Sequence, residues 1–81
     1  MTYTATVNVM LKPGIADPQG QTIEKALPVL GYDGVEGVRV GKRIELQLDA
    51  SDTNEARTKV EAMCKQLLSN PVIESYEVAI G

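Results

Sequence analysis

The chain opens on a strict alternation. Tyr3, Ala5, Val7, Val9 and Leu11 fall on one side of residues 2–12; Thr2, Thr4, Thr6, Asn8, Met10 and Lys12 fall on the other. Side chains on an extended backbone point to opposite faces in turn, so this pattern predicts a half-buried strand rich in β-branched residues. The period then changes. Ile23, Ala26, Leu27 and Leu30 recur at helical spacing and predict one apolar face of a helix. Alternation returns at Val38, Val40, Ile44, Leu46 and Leu48. The helical period returns once more at Ala56, Val60, Met63, Cys64 and Leu67, with Leu68 at its edge. Tyr76, Val78 and Ile80 share one side of a last strand over residues 72–80.

The punctuation between these runs agrees with them. Lys12-Pro13-Gly14 predicts a type II turn, with proline pre-setting φ and glycine taking the positive φ. Asp17 is placed to cap a helix whose first residue is Pro18, and Gly31 to end it in the left-handed region. Pro28 interrupts that helix: it removes the bond to the Glu24 carbonyl and predicts a kink or a tightened last turn. Residues 35–49 read as a hairpin. A three-residue loop, Gly41-Lys42-Arg43, keeps Val40 opposite Ile44 and Val38 opposite Leu46, and sets Arg39 against Glu45. Asp52 with Glu55 predicts the cap of a helix over residues 53–69, with Glu55–Lys59 and Glu61–Lys65 pairs outside and Asn70-Pro71 as its stop.

The resulting order, β-α-β-β-α-β, is the split βαβ pattern. It predicts a ferredoxin-like α+β domain over residues 1–81, a four-stranded antiparallel sheet with two helices on one face.

Composition narrows the function. The 81 residues include no Trp, Phe or His and a single cysteine, Cys64, so neither disulfides nor a paired metal-ligand set can reinforce so small a core. Association with copies of itself or with partners remains. A net charge of −3 disfavours nucleic acid. The sheet's outward positions lack the aromatic residues that stack on bases. No apolar run reaches the ~18 residues of a membrane span, and the N-terminus lacks the basic head and apolar segment of a signal peptide. With a free thiol, this predicts a cytoplasmic protein.

Candidate chemistry is thin. Cys64 lies in an apolar helical stripe with no histidine to ionise it, so core packing is the expected role. The run from Gly34 to Lys42 lacks the spacing of a phosphate loop and falls in a predicted hairpin. Arg39, Lys42 and Arg43, with Lys12 near them, form a small basic cluster able to meet an anion or a partner carboxylate. No catalytic residue and no metal site emerge.

Four segments say more: LKPGIADPQG (Leu11 to Gly20), LGYDGV (Leu30 to Val35), VRVGKRIEL (Val38 to Leu46) and MCKQLLSNPVIESY (Met63 to Tyr76). In these the chain resembles the PurS family, the small subunit of bacterial phosphoribosylformylglycinamidine synthase (formylglycinamide ribonucleotide amidotransferase). The resemblance implies a non-catalytic subunit in purine biosynthesis. It implies a homodimer, or a tetramer, bridging a glutaminase subunit and a synthetase subunit and assisting ammonia transfer between them. ATP, Mg and glutamine would be used by those partners, with no cofactor on this chain. The residues in matched segments that the core leaves unexplained become candidate contacts: Lys12, Asp17, Gln19, Tyr32, Arg39, Lys42 and Arg43. The alternative from topology is an ACT-like regulatory domain, which predicts a small-molecule site at a dimer interface.

Overall fold

A computed structural model describes all 81 residues. Strand β1 (Thr2–Leu11) is central. β2 (Gly41–Asp49) and β3 (Glu74–Ile80) flank it, both antiparallel to it. The alternation in β1 is what places it there: Ala5, Val7 and Val9 are buried while Thr4 and Asn8 are exposed. Across the inner face, Val7 stands between Ile44 and Val78, and Ala5 between Leu46 and Ile80.

Helix α2 (Thr53–Met63) covers β1 and β3. Its N-cap forms as expected, with Asp52 accepting from the Glu55 amide at 2.8 Å. Glu55 pairs with Lys59 at 2.9 Å and also engages the Ser51 hydroxyl. Ala56, Val60 and Cys64 are fully buried, and a core cluster joins Val60 and Cys64 to Ala5, Val7 and Val9. Burial pushes the Cys64 thiol pKa up, and Glu61 adds to the effect. This is the environment of a packing residue.

The second helix departs from expectation after Cys64. Residues Cys64–Leu68 form a π-helical turn, closed by the Ser69 amide on the Cys64 carbonyl at 3.0 Å, with the Ser69 hydroxyl on the same oxygen at 2.9 Å. The wider turn shifts the apolar stripe by one residue. Leu68 packs on the core, whereas Leu67, expected inside, is 83% exposed. The Glu61–Lys65 ion pair expected on the outer face does not form.

Helix α1 (Pro18–Val29) begins as its sequence predicts, with Asp17 accepting from the Gly20 amide at 2.9 Å and Pro18 first. Pro28 produces the tightened end. The Leu30 amide bonds the Leu27 carbonyl, Gly31 bonds Pro28 and Tyr32 bonds Leu27, each at 3.0 Å. With Gly31 at φ 97°, that is a Schellman cap.

Two predictions are corrected. The sheet has three strands rather than four, and the helices do not share one of its faces. Residues 38–40 form no hairpin arm. β1 is long enough to pair with the whole of 41–49, a nine-residue ladder from Thr2↔Asp49 to Met10↔Gly41. A loop at residues 41–43 would take Gly41, Lys42 and Arg43 out of that ladder. Gly34 and Gly37, both at positive φ, turn the chain away before it. Gly41-Lys42-Arg43 is therefore the start of a strand and not a loop. Arg43, not Arg39, pairs with Glu45, at 3.0 Å. α1 packs along neither the sheet nor α2. It projects from one end of the sheet, and the molecule measures 51 × 25 × 15 Å.

Candidate functional site

Where the end of β1, the start of α1 and the start of β2 converge, they enclose a pocket of about 290 Å³. Val9, Leu11 and Gly41 are among its lining residues, with Asp17, Gln19 and Lys42. Three of the seven candidate contacts thus come together here. The alternation explains the placing of Lys42: opposite Val9, it stands on the inner face, where the apolar stripe of β2 ends.

Asp17 holds this corner together. One carboxylate oxygen caps α1 through the Gly20 amide, and the other accepts from the Val40 amide at 2.8 Å. The Val40 bond, then the Gly20 bond, then the Arg39 charge hold its pKa below the usual 3.8. Two turns further along, Glu24 accepts from the Val38 amide at 2.9 Å. Two carboxylates on one face of α1 thereby satisfy alternate amides of an extended segment. They do for residues 38–40 what a neighbouring strand would otherwise do. Gly20, between them, permits the approach: a Cβ there would run into the Val38 carbonyl oxygen and lie 2.8 Å from Asp17 Oδ2.

The other candidates disperse. The Arg39 guanidinium donates to the Leu11 carbonyl, and Lys12 Nζ donates to the Pro71 carbonyl at 2.7 Å. The first bond ties the end of β1 to Arg39, and the second ties the next residue to the segment before β3. Arg43 lies on the outer face of β2 with Glu45, and Tyr32 is 62% exposed past the end of α1. The basic cluster is not formed, since consecutive residues of a strand point to opposite faces.

Sequence reasoning missed Glu24 and Glu74. Glu74 lines the pocket and accepts from the Asn70 amide at 2.6 Å. A signal for Glu24 was present. Asp17, Gly20 and Glu24 share one helical face, and a glycine inside a helix marks close approach of another backbone.

These groups hold backbone in place. Asp17 has both oxygens engaged, and no nucleophile stands beside it. What the corner offers outward is shape, the Gln19 amide and the Lys42 ammonium.

The comparisons with known proteins decide the family. The profile described as "PurS: Phosphoribosylformylglycinamidine (FGAM) synthase" matches residues 4–81. The phosphoribosylformylglycinamidine synthase subunit PurS of Synechocystis sp. is 47% identical over 74 residues, 91% of this chain and 74% of that protein. This chain belongs to the PurS family. PurS from Methanocaldococcus jannaschii is described as one of the subunits of formylglycinamide ribonucleotide amidotransferase in the purine biosynthetic pathway. Its crystal structure superposes with a TM-score of 0.86 at 40% identity, over 98% of this chain and 95% of that one. A chain in the structure of PurLQS from Thermotoga maritima superposes with a TM-score of 0.90 at 33% identity, over 100% and 99%. The PurS profile covers β1 from Thr4 onward, α1, the whole pocket and β3.

Proposed function

We propose that this chain acts as the non-catalytic PurS subunit of phosphoribosylformylglycinamidine synthase in purine biosynthesis. In this reading it works in the cytoplasm as a homodimer or tetramer, bridges the glutaminase and synthetase subunits and assists the passage of ammonia between them. ATP, Mg and glutamine are used by those partners. The observation that carries the reading is the end-to-end superposition on a chain of the T. maritima PurLQS structure. The chemistry of the corner supports it, because its carboxylates are spent on backbone amides. A bridging protein keeps two active sites in register, so a small, easily protonated intermediate need not cross open water. Docking that also orders the synthetase would couple the two sites thermodynamically.

Gln19, Lys42 and Tyr32 present free groups for partner contact, whereas Asp17, Lys12 and Arg39 shape the surface that carries them. Reconstitution tests the reading. Synthetase and glutaminase are mixed with and without this chain, and amidine formation is followed from glutamine and from ammonia. Glutamine-driven turnover is expected to require the chain, and Lys42→Ala to weaken it more than ammonia-driven turnover. Equal glutamine-driven rates without the chain overturn the proposal.

A further inference from the structure

α2 reaches past the strands it covers. The Arg57 guanidinium donates to the Val78 carbonyl at 3.0 Å, and Lys59 Nζ donates to the Asp49 carbonyl at 3.2 Å. Val78 belongs to β3 and Asp49 to β2, the two strands with a free edge. Both carbonyls point off those edges. On the β3 side, Thr4 and Gly81 exchange both backbone bonds, at 3.1 and 2.8 Å. Such pairs alternate along an antiparallel ladder. Thr6–Ala79 and Asn8–Glu77 are therefore the next exchanging pairs, and Tyr76, Val78 and Ile80 turn their amides and carbonyls away from β1.

An unpaired row of this kind is a template for another strand, which proteins blunt with lysine, proline, a bulge or a cover. β3 has none of the first three. Its sequence, ESYEVAI, lacks lysine and proline, and its register with β1 runs without a break. The β2 edge is different. By the same parity, counted from the bonds between Met1 and Ala50, Arg43, Glu45, Gln47 and Asp49 face outward there. Two β2 edges paired about Glu45 set that carboxylate against itself, and about Gln47 they set Glu45 against Asp49. β3 meets no such conflict. Paired about Val78, Tyr76 stands opposite Ile80 and Glu77 opposite Ala79, and the apolar stripes of two inner faces become continuous. Arg57 stands in the way, because that pairing needs the Val78 carbonyl as an acceptor and Arg57 holds it.

We propose that the outer edge of β3 is a strand-addition surface for β3 of a second copy, and that Arg57 keeps it closed. The occupant is a second copy because two identical edges satisfy each other about a two-fold axis, in a register that opposes no like charges. The contact is separate from any association through other surfaces, which sets only the wild-type baseline.

The test is Arg57→Ala. Arg57 is exposed and alanine is the better helix former, so the variant is expected to keep native circular dichroism. Light scattering after size exclusion, over a concentration series, is expected to give a mass about twice that of wild type or more. Amide hydrogen exchange locates the contact: Tyr76, Val78 and Ile80 exchange freely in wild type and are expected to gain protection in the variant. Ala79→Glu, added to Arg57→Ala on the exposed outer face, sets a second carboxylate opposite Glu77 of the other copy and is expected to restore the wild-type mass. An Arg57→Ala chain with wild-type mass at every concentration overturns the proposal. So does association that leaves the three amides unprotected, or that survives Ala79→Glu. A wild-type chain with those amides already protected has an edge that Arg57 does not close, and refutes it as well.

Discussion

Gly20 gives the sharpest test of how α1 is held, because two effects of known size oppose each other there. Gly20→Ala should favour the helix by up to about 1 kcal/mol, since glycine is the weaker helix former and loses more backbone entropy on folding. Against this, the new Cβ would overlap the Val38 carbonyl oxygen and stand 2.8 Å from Asp17 Oδ2. Neither neighbour can yield cheaply. The first is backbone, and the second is pinned by two amides. Overpacking of this kind costs roughly 1–3 kcal/mol. A backbone carbonyl as the obstacle puts the cost at the upper end, so the net expectation is a loss of about 1–2 kcal/mol. For a domain this small, with a urea slope near 1 kcal/mol/M, the unfolding midpoint should fall by about 1–2 M. Wild type and variant must be compared at one protein concentration, since an associating chain gains stability with concentration. Hydrogen exchange adds a local readout: the Val38 and Val40 amides, bonded to Glu24 and Asp17, should lose protection while those of β1 keep theirs. A variant more stable than wild type, with both amides still protected, would refute the close approach and leave helix propensity as the only effect.

Two further outcomes follow from the core and the carboxylates. Val60→Ala, at a fully buried position against Val7 and Val9, should cost about 2–3 kcal/mol from lost burial and an unfilled cavity; urea unfolding checks it, and a loss below half that would mean that α2 settles onto the sheet. The pKa of Asp17 is depressed from 3.8, chiefly by the Val40 amide, and that of Glu55 from 4.5, chiefly by the Ser51 hydroxyl with Lys59 next. Depressed carboxylates stabilise the fold above their unfolded values and lose that contribution as pH falls through the folded ones, so stability should hold down to about pH 4.5 and decline below it. Asp17→Asn should flatten this acid limb in a pH series of unfolding midpoints; an unchanged limb would show that the Asp17 charge adds nothing to the clasp.

Much of the local structure was legible because its causes are local. Asp17-Pro18 wrote a cap and Gly31 a stop. Pro13-Gly14 wrote a turn that closes with the Ile15 amide on the Lys12 carbonyl at 3.2 Å, Gly14 at φ 86°. Pro28 announced the tightened end of α1. The π turn at Cys64 was not legible, since no residue type demands it and only packing selects Leu68 over Leu67. The candidate site was half legible. The matched segments pointed to Asp17, Gln19 and Lys42, yet periodicity could not say that the carboxylates of α1 would take the place of a strand. Arg39, Lys42 and Arg43 are neighbours in sequence, but strand parity and the missing hairpin send them to different places.

Sequence alone determined the first strand, the existence of two helices, the Asp17 and Asp52 caps and the family resemblance, because alternation, helical period and cap chemistry act within a few residues. Only the tertiary structure decided how many strands the sheet has and where α1 goes. Residues 38–40 can pair as a strand or be held by side chains, and the outcome depends on what the rest of the chain offers. β1 offers its whole length to residues 41–49, while Asp17 and Glu24 offer carboxylates to the amides left over. The helix that sequence set on the chain's own sheet is thereby held at its end, with its apolar face turned outward.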